Sequence, residues 1–278
     1  MCDHMAGFVD DTGAMVPLTS PVSRIVSLVP SLTEALALSC RDKLVGATDW
    51  CIHPADLAVA RVGGTKNPNL ESIVALAPDL VVANDEENRP PDLEELRAQG
   101  IPVWVTDIRT VDQALASIGK LLRAVGATDT MWLSEARDSW LNPPAVVEGR
   151  RLRAVVPIWR RPWMHLGSDT YAGDVLRRLG VDNVLSDSRQ RYPKLGLGDL
   201  PRADLVVLPD EPYQFTEMDG PEAFPDLPCA LVSGRSLTWY GPAMVDAPQT
   251  LLAALRAGSR LPPGRRIPDP HSARKVET

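Results

Sequence analysis

Apolar residues in this chain come in short unbroken runs, with helical spacings filling the stretches between them. Ile25–Leu28, Leu44–Ala47, Asp79–Ala83 and Pro102–Val105 read as strands in the first half. Leu152–Val156, Asp204–Leu208 and Cys229–Val232 do so in the second. Continuous apolar runs mark strands buried on both faces, as in parallel sheets covered by helices. Between them, Pro30 opens a helix in which Ser31 and Glu34 have the spacing of a capping box. Asn69 is expected to cap a helix over Leu70–Ala77, and a further helix is expected near Asp92–Gln99. Leu115, Ile118, Leu122 and Val125 recur at helical spacing over Val111–Val125. Helices are also predicted over Thr128–Leu141, Tyr171–Leu179 (capped by Asp169 or Thr170) and Ala247–Ala257. Phe8–Val16 reads as a leading hairpin that turns at Asp11–Gly13.

The pattern nearly repeats itself. Ala77-Pro78-Asp79-Leu80-Val81-Val82 returns as Arg202-Ala203-Asp204-Leu205-Val206-Val207, and Arg24-Ile25-Val26 is echoed by Arg153-Ala154-Val155. Each copy is long enough for a domain. The expected fold is therefore α/β, with two Rossmann-like lobes joined by a single backbone helix. The expected boundaries are an N-terminal lobe over 1–126, a connecting helix and linker over 127–150, a C-terminal lobe over 151–258 and a disordered tail over 259–278. Clefts between such lobes are a preferred place for small ligands.

Composition narrows the function. The 278 residues carry 29 Lys and Arg against 36 Asp and Glu, a net charge of −7. No basic stripe points to nucleic acid. No run is long enough for a transmembrane segment. Residues 1–24 include Asp3, Asp10 and Asp11 and lack the apolar core of a signal peptide. As written the chain is expected in the cytoplasm. A leader removed before Met1 would instead make it periplasmic or a cell-envelope lipoprotein, with Cys2 as the lipid anchor. Cys2, Cys40, Cys51 and Cys229 show no CxxC spacing and read as free or buried thiols. His4, His53, His165 and His271 do not pair at metal-ligand spacing, and no protein-held metal or required cofactor is expected. Asp85-Glu86-Glu87 and Asp210-Glu211 end equivalent strands, but no nucleophile elbow, P-loop or complete dinucleotide fingerprint accompanies them. The chain is not expected to be an enzyme.

Aromatic placement is more informative. There are three Phe against seven Trp and four Tyr. Trp50, Trp159, Trp163, Tyr192, Tyr213, Trp239 and Tyr240 fall in loops that follow predicted strands. Ligands of open α/β sheets bind outside the carboxyl ends of strands, and rings there offer stacking surfaces for a large flat ligand. His53, Lys66 and Arg160 share those loops and complete the candidate ligand site.

Three stretches carry a family resemblance. Arg24-Ile25-Val26-Ser27-Leu28-Val29-Pro30-Ser31-Leu32-Thr33-Glu34, Gly63-Gly64-Thr65-Lys66-Asn67-Pro68-Asn69-Leu70-Glu71 and Ile73–Val81 resemble the class III, helical-backbone substrate-binding proteins. Ile158–Met164 and Asp210–Phe215 are similar to the cobalamin-binding subgroup. The resemblance implies a periplasmic-binding-protein fold linked to ABC transporters. It also implies non-catalytic binding of a metal chelate between the lobes: cobalamin or another corrinoid, with haem or a ferric siderophore as alternatives. It assigns a corrin contact to Trp50 and an opposite-lobe contact to Tyr192. Glu71 matches a glutamate that docks on a permease, and Asp199 adjoins the second docking position, held here by Gly198. Thr65-Lys66-Asn67 replaces a ligand-contacting tryptophan. An intracellular enzyme or ligand-delivery protein on the same scaffold is the competing reading.

Overall fold

The computed structural model describes residues 6–18 and 21–259. Cys2, His4, His271 and the expected tail from 260 onward lie outside the described residues. The chain forms two compact units. The first holds residues up to Pro143 together with Thr170–Val175 and Arg235–Pro248; the second holds Pro144–Asp169, Leu176–Gly234 and the chain from Gln249.

The first unit opens with the antiparallel hairpin β1 (Ala6–Val9) and β2 (Met15–Leu18). Asp10 closes its turn by accepting from the Thr12 and Ala14 amides at 2.9 and 3.0 Å. The other oxygen of Asp10 accepts from the Val105 amide at 3.1 Å, which ties the hairpin to the main sheet. That sheet contains β3 (Ile25–Ser27), β4 (Leu44–Ala47), β5 (Ala60–Arg61), β6 (Leu80–Asn84) and β7 (Val103–Thr106). All are parallel, in the order β5-β4-β3-β6-β7. This is a doubly wound order, and it reverses between β3 and β6. The helices are α1 (Pro30–Cys40), α2 (Leu70–Ala75), α3 (Pro90–Ala98), α4 (Val111–Ala124) and α5 (Met131–Leu141). Every residue of β6 is buried, as expected of a strand covered on both faces.

In the second unit β8 (Leu152–Val155), β11 (Val181–Asn183), β12 (Leu205–Pro209) and β13 (Cys229–Val232) form a parallel sheet in the order β11-β8-β12-β13. Its order reverses between β8 and β12. A short antiparallel pair, β9 (Pro157–Trp159) and β10 (Met164–His165), stands beside it. The remaining helices of the chain are α6 (Tyr171–Arg178), α7 (Gly234–Thr238) and α8 (Ala247–Ser259); the start of α6 and nearly all of α7 group with the first unit. α8 lies close on β13: a Cβ at Gly258 would stand 2.5 Å from the Ala230 Cα. The α/β class and the parallel sheets agree with the apolar runs.

The repeated Asp-Leu-Val-Val has one structural cause in both units. Asp79 accepts from the Ser23 and Arg24 amides at 2.8 and 2.9 Å, and its own amide donates to the Arg24 carbonyl at 2.8 Å. Asp204 accepts from the Arg153 amide at 2.9 Å and donates to the Arg153 carbonyl at 2.7 Å. The register then matches: Ile25 faces Leu80 and Val26 faces Val81, as Ala154 faces Leu205 and Val155 faces Val206.

The start of α1 corrects one local expectation. It has no side-chain cap; it rests on Pro30 in the first turn, and Glu34 pairs instead with Arg235. The stretch expected as a connector contains α5, which groups with the first unit. It is anchored there by Trp132, whose indole donates to Ser39 Oγ at 2.9 Å, and by Trp140, whose indole donates to the Met244 carbonyl at 2.9 Å. Asn69 and Thr170 do cap their helices, accepting from the Ser72 and Gly173 amides at 3.0 and 3.2 Å.

Partial burial works against ionisation of Asp79, yet the donors of Ser23 and Arg24 hold its carboxyl below the ordinary range. Its contribution is therefore full above the pKa of a free aspartate and is lost as pH falls through the folded value. Asp79→Ala should lose about 1–2 kcal/mol in urea unfolding at pH 7, the range for a part-exposed group that accepts several bonds. The gap to the parent should narrow below about pH 4. A gap that does not change with pH would show that the carboxylate charge is not what holds the strands.

Candidate functional site

A strand-order reversal leaves a crevice at the carboxyl ends of the two strands that flank it. In the first unit those strands are β3 and β6. Asn84, the last residue of β6, folds the next turn by accepting from the Glu86 and Glu87 amides at 2.9 and 3.1 Å. Asn88 ties that turn across the crevice, donating to the Leu28 carbonyl at 3.4 Å and the Thr65 carbonyl at 3.0 Å. Lys66 reaches the same turn, with Nζ 2.6 Å from the Glu86 carbonyl. Tyr240 is buried, and its hydroxyl donates to Glu87 at 3.1 Å. Burial, reinforced by Glu87, keeps its phenol protonated well above the usual range. Arg109 is buried beneath the turn and pairs with Asp107, Glu86 and Asp85 at 2.6, 3.3 and 3.5 Å.

The loop after β4 borders this crevice. Cys51 is fully buried, and its sulfur lies 3.0 and 3.1 Å from the hydroxyls of Thr33 and Thr48. Arg61 donates to the Thr48 and Cys51 carbonyls, both at 2.9 Å. These bonds hold the loop closed while its apolar tips face outward: Trp50 is 68% exposed and Ile52 60% exposed. Burial pushes the Cys51 thiol up, so it serves as a neutral anchor. His53 meets the ring of Trp239 edge-on at 5.4 Å. Arg235 covers that ring at 5.6 Å and pairs with Glu34.

In the second unit the reversal lies between β8 and β12, and the loops at their carboxyl ends carry Trp159, Arg160 and Tyr213. Trp159 meets Tyr213 edge-on at 5.6 Å. Beneath them Trp163 stacks on Phe215 at 6.2 Å and meets Phe224 edge-on at 5.7 Å. Trp163 is thus half-buried against the core, whereas Trp159 is 42% exposed. Arg160, expected as a ligand contact, has both ends of its guanidinium occupied, by Asp219 and by Glu222. Tyr192 lies in a segment running beside β10, where the His165 amide donates to Pro193 at 3.0 Å. His165 is fully buried; burial pushes its pKa down, and its Nε2 faces the Leu195 carbonyl at 3.2 Å.

The geometry therefore pairs His53 with Trp239, with Trp50 exposed on the same loop as His53, brings Lys66 and Tyr240 to one turn, and separately pairs Trp159 with Tyr213. Glu34, Arg61, Arg235, Asp219 and Glu222 organise these rings; the sequence marks Glu34 only as half of a capping box and singles out none of the other four. Among the described residues, no cluster of three His, Cys, Asp or Glu is arranged to hold a metal ion. No helix among them is long and apolar enough to cross a membrane. Cys40 and Cys229 are free thiols that burial pushes up to about 11. Glu71, in the first turn of α2, and Asp199 are both exposed.

The vitamin B12-binding protein of Vibrio cholerae serotype O1 is 26% identical over 196 residues, covering 68% of this chain and 71% of that one. The solved periplasmic vitamin B12-binding protein of Vibrio cholerae superposes with a TM-score of 0.69 at 19% identity, over 87% of this chain and 99% of that one. The periplasmic haem-binding protein of Roseiflexus sp. RS-1 superposes with a TM-score of 0.70 at 19% identity, over 86% of this chain and 100% of that one. The sequence pattern of the periplasmic binding protein family matches residues 25–204, well over half of the chain, and the chain therefore belongs to that family.

Proposed function

We propose that this protein reversibly binds a large planar metal-tetrapyrrole, a corrinoid, without turnover. The contacts are the aromatic side chains presented at the strand-order reversals of its two sheets. One observation carries the reading: exposed rings stand on loops closed by buried polar bonds, as Trp50 stands on the Cys51 and Arg61 anchors. Rings held in this way lose little freedom on binding. The relatives named as vitamin B12-binding proteins support the same ligand class.

Haem is the second reading, favoured by the structural likeness to a haem-binding protein. The pairing of Arg109, Arg160 and Arg235 with carboxylates weighs toward the corrinoid. Haem carries two carboxylates, which need unpaired cations. Arg109, Arg160 and Arg235 are already neutralised by carboxylates, which leaves Lys66, bonded only to a carbonyl, and the exposed Arg161 as cations near these loops. A corrin edge carries amides, whose N–H groups suit a rim of acceptors such as Asp85, which is half exposed. Glu71 and Asp199, one on each unit, are proposed as docking contacts for a membrane permease, and the working location is then the cell envelope.

Titration with cyanocobalamin and with haemin tests the proposal. Cyanocobalamin should quench tryptophan emission saturably, at one equivalent, and be recovered unchanged. Haemin should bind more weakly. If neither ligand perturbs the emission or its own visible spectrum, the tetrapyrrole reading fails. Each stacked ring is worth about 0.5–1.5 kcal/mol, so Trp50→Ala and Trp159→Ala should each weaken cyanocobalamin binding by about two- to tenfold. Unchanged affinity in the double variant would remove these rings from the site.

A further inference from the structure

Arg160 is placed where a ligand-binding arginine is expected, yet its guanidinium is enclosed. One nitrogen pairs with Asp219 and the other with Glu222 at 2.5 Å, and the side chain is 16% exposed. Glu222 also accepts from the Gly220 amide at 2.6 Å, and Asp219 also accepts from the Tyr213 hydroxyl at 2.5 Å. The Arg160 guanidinium lies 5.2 Å from the centre of the Trp163 ring. The turn bearing these carboxylates is closed by reciprocal backbone bonds, Thr216 to Asp219 at 3.0 Å and Asp219 to Thr216 at 3.3 Å. One planar cation thus joins three parts of the second unit: the end of β9 with Trp159, the β9–β10 turn with Trp163, and the loop after β12 with Tyr213.

We propose that Arg160 is a positioning residue for ligand capture: it fixes the ring planes of Trp159 and Tyr213 through Asp219 and Glu222 and does not itself touch the ligand. The inference rests on the tetrapyrrole-binding reading and names what keeps that surface in shape. The fork geometry of arginine is required. Two carboxylates on different parts of one loop need two separate donor edges in a plane, which the single ammonium of lysine lacks. The phenol of Tyr213 completes the chain by using the second oxygen of Asp219. The Trp159 ring meets this network through its edge contact with the Tyr213 ring.

The test compares Arg160→Lys, which keeps the charge and loses the fork, with Tyr213→Phe, which keeps the ring and loses the phenol. Each protein is labelled with 5-fluorotryptophan, and the Trp159 signal among the seven tryptophans is assigned with Trp159→Phe. Circular dichroism monitors the fold. In both variants the Trp159 fluorine line should broaden or split while the melting curve stays cooperative. Cyanocobalamin should bind about three- to tenfold more weakly, the range for releasing one or two side chains that binding must then order. An unchanged Trp159 line in Tyr213→Phe, with affinity lost only in Arg160→Lys, would make Arg160 a direct contact and overturn the proposal. Unchanged lines and affinities in both variants would overturn it as well. If the parent protein binds neither cyanocobalamin nor haemin, the functional reading fails, and the fluorine lines still decide whether Arg160 holds the rings.

Discussion

A carboxylate at the foot of one core strand accepts hydrogen bonds from the backbone that opens its parallel neighbour, and both sheets are built around that contact. Parallel strands have no tight turn to set their register. Here Asp79 binds the segment entering β3, and Asp204 does the same for β8. A slip of one residue would exchange the two faces of a strand. In β6 and β12 every residue is buried, so a slip would be felt along the whole strand. Register also decides where each strand ends. The segments carrying Trp159 and Tyr213 follow β8 and β12, so their placement follows from the carboxylate at the opposite edge of that sheet.

The aromatic loops meet a second constraint. Large aromatic side chains must remain exposed without collapsing onto the protein. The protein resolves this by burying polar anchors rather than the rings. Cys51 is held between two threonine hydroxyls while Trp50 projects outward. Arg160 is enclosed by two carboxylates while Trp159 remains partly exposed. Charge is consumed in the process. Arg160 and Arg235 are neutralised from within, which under the proposed reading turns this part of the rim toward ligands with donor edges.

Much of this is legible in the sequence. The unbroken apolar runs mark parallel strands, and the repeated Asp-Leu-Val-Val by itself identifies equivalent strands in the two halves. The aromatic loops are legible because rings following strands have few structural reasons to be polar-flanked and solvent-facing. The contacts that the sequence hides are long-range. Glu34 has the spacing of half a capping box, but its partner Arg235 lies 201 residues away, and a charge-assisted contact of that kind outweighs a local cap. Arg160 has no acidic neighbour along the chain, because Asp219 stands 59 residues further on. β9, β10 and β11 span two or three residues each, too few for a period to show. Tyr240 has the sequence setting of a ligand-facing ring, whereas its burial follows from the hydroxyl contact with Glu87, again remote in sequence.

The central claim, that the loops at the strand-order reversals are the binding surface, is tested most directly by amide hydrogen exchange with and without cyanocobalamin. Bound ligand should slow exchange in the loop after β4, around Trp50, and in the loop after β12, around Tyr213. The hairpin of β1 and β2 should exchange at the same rate in both samples. Protection confined to other surfaces, with these two loops unaffected at saturating ligand, would contradict the claim.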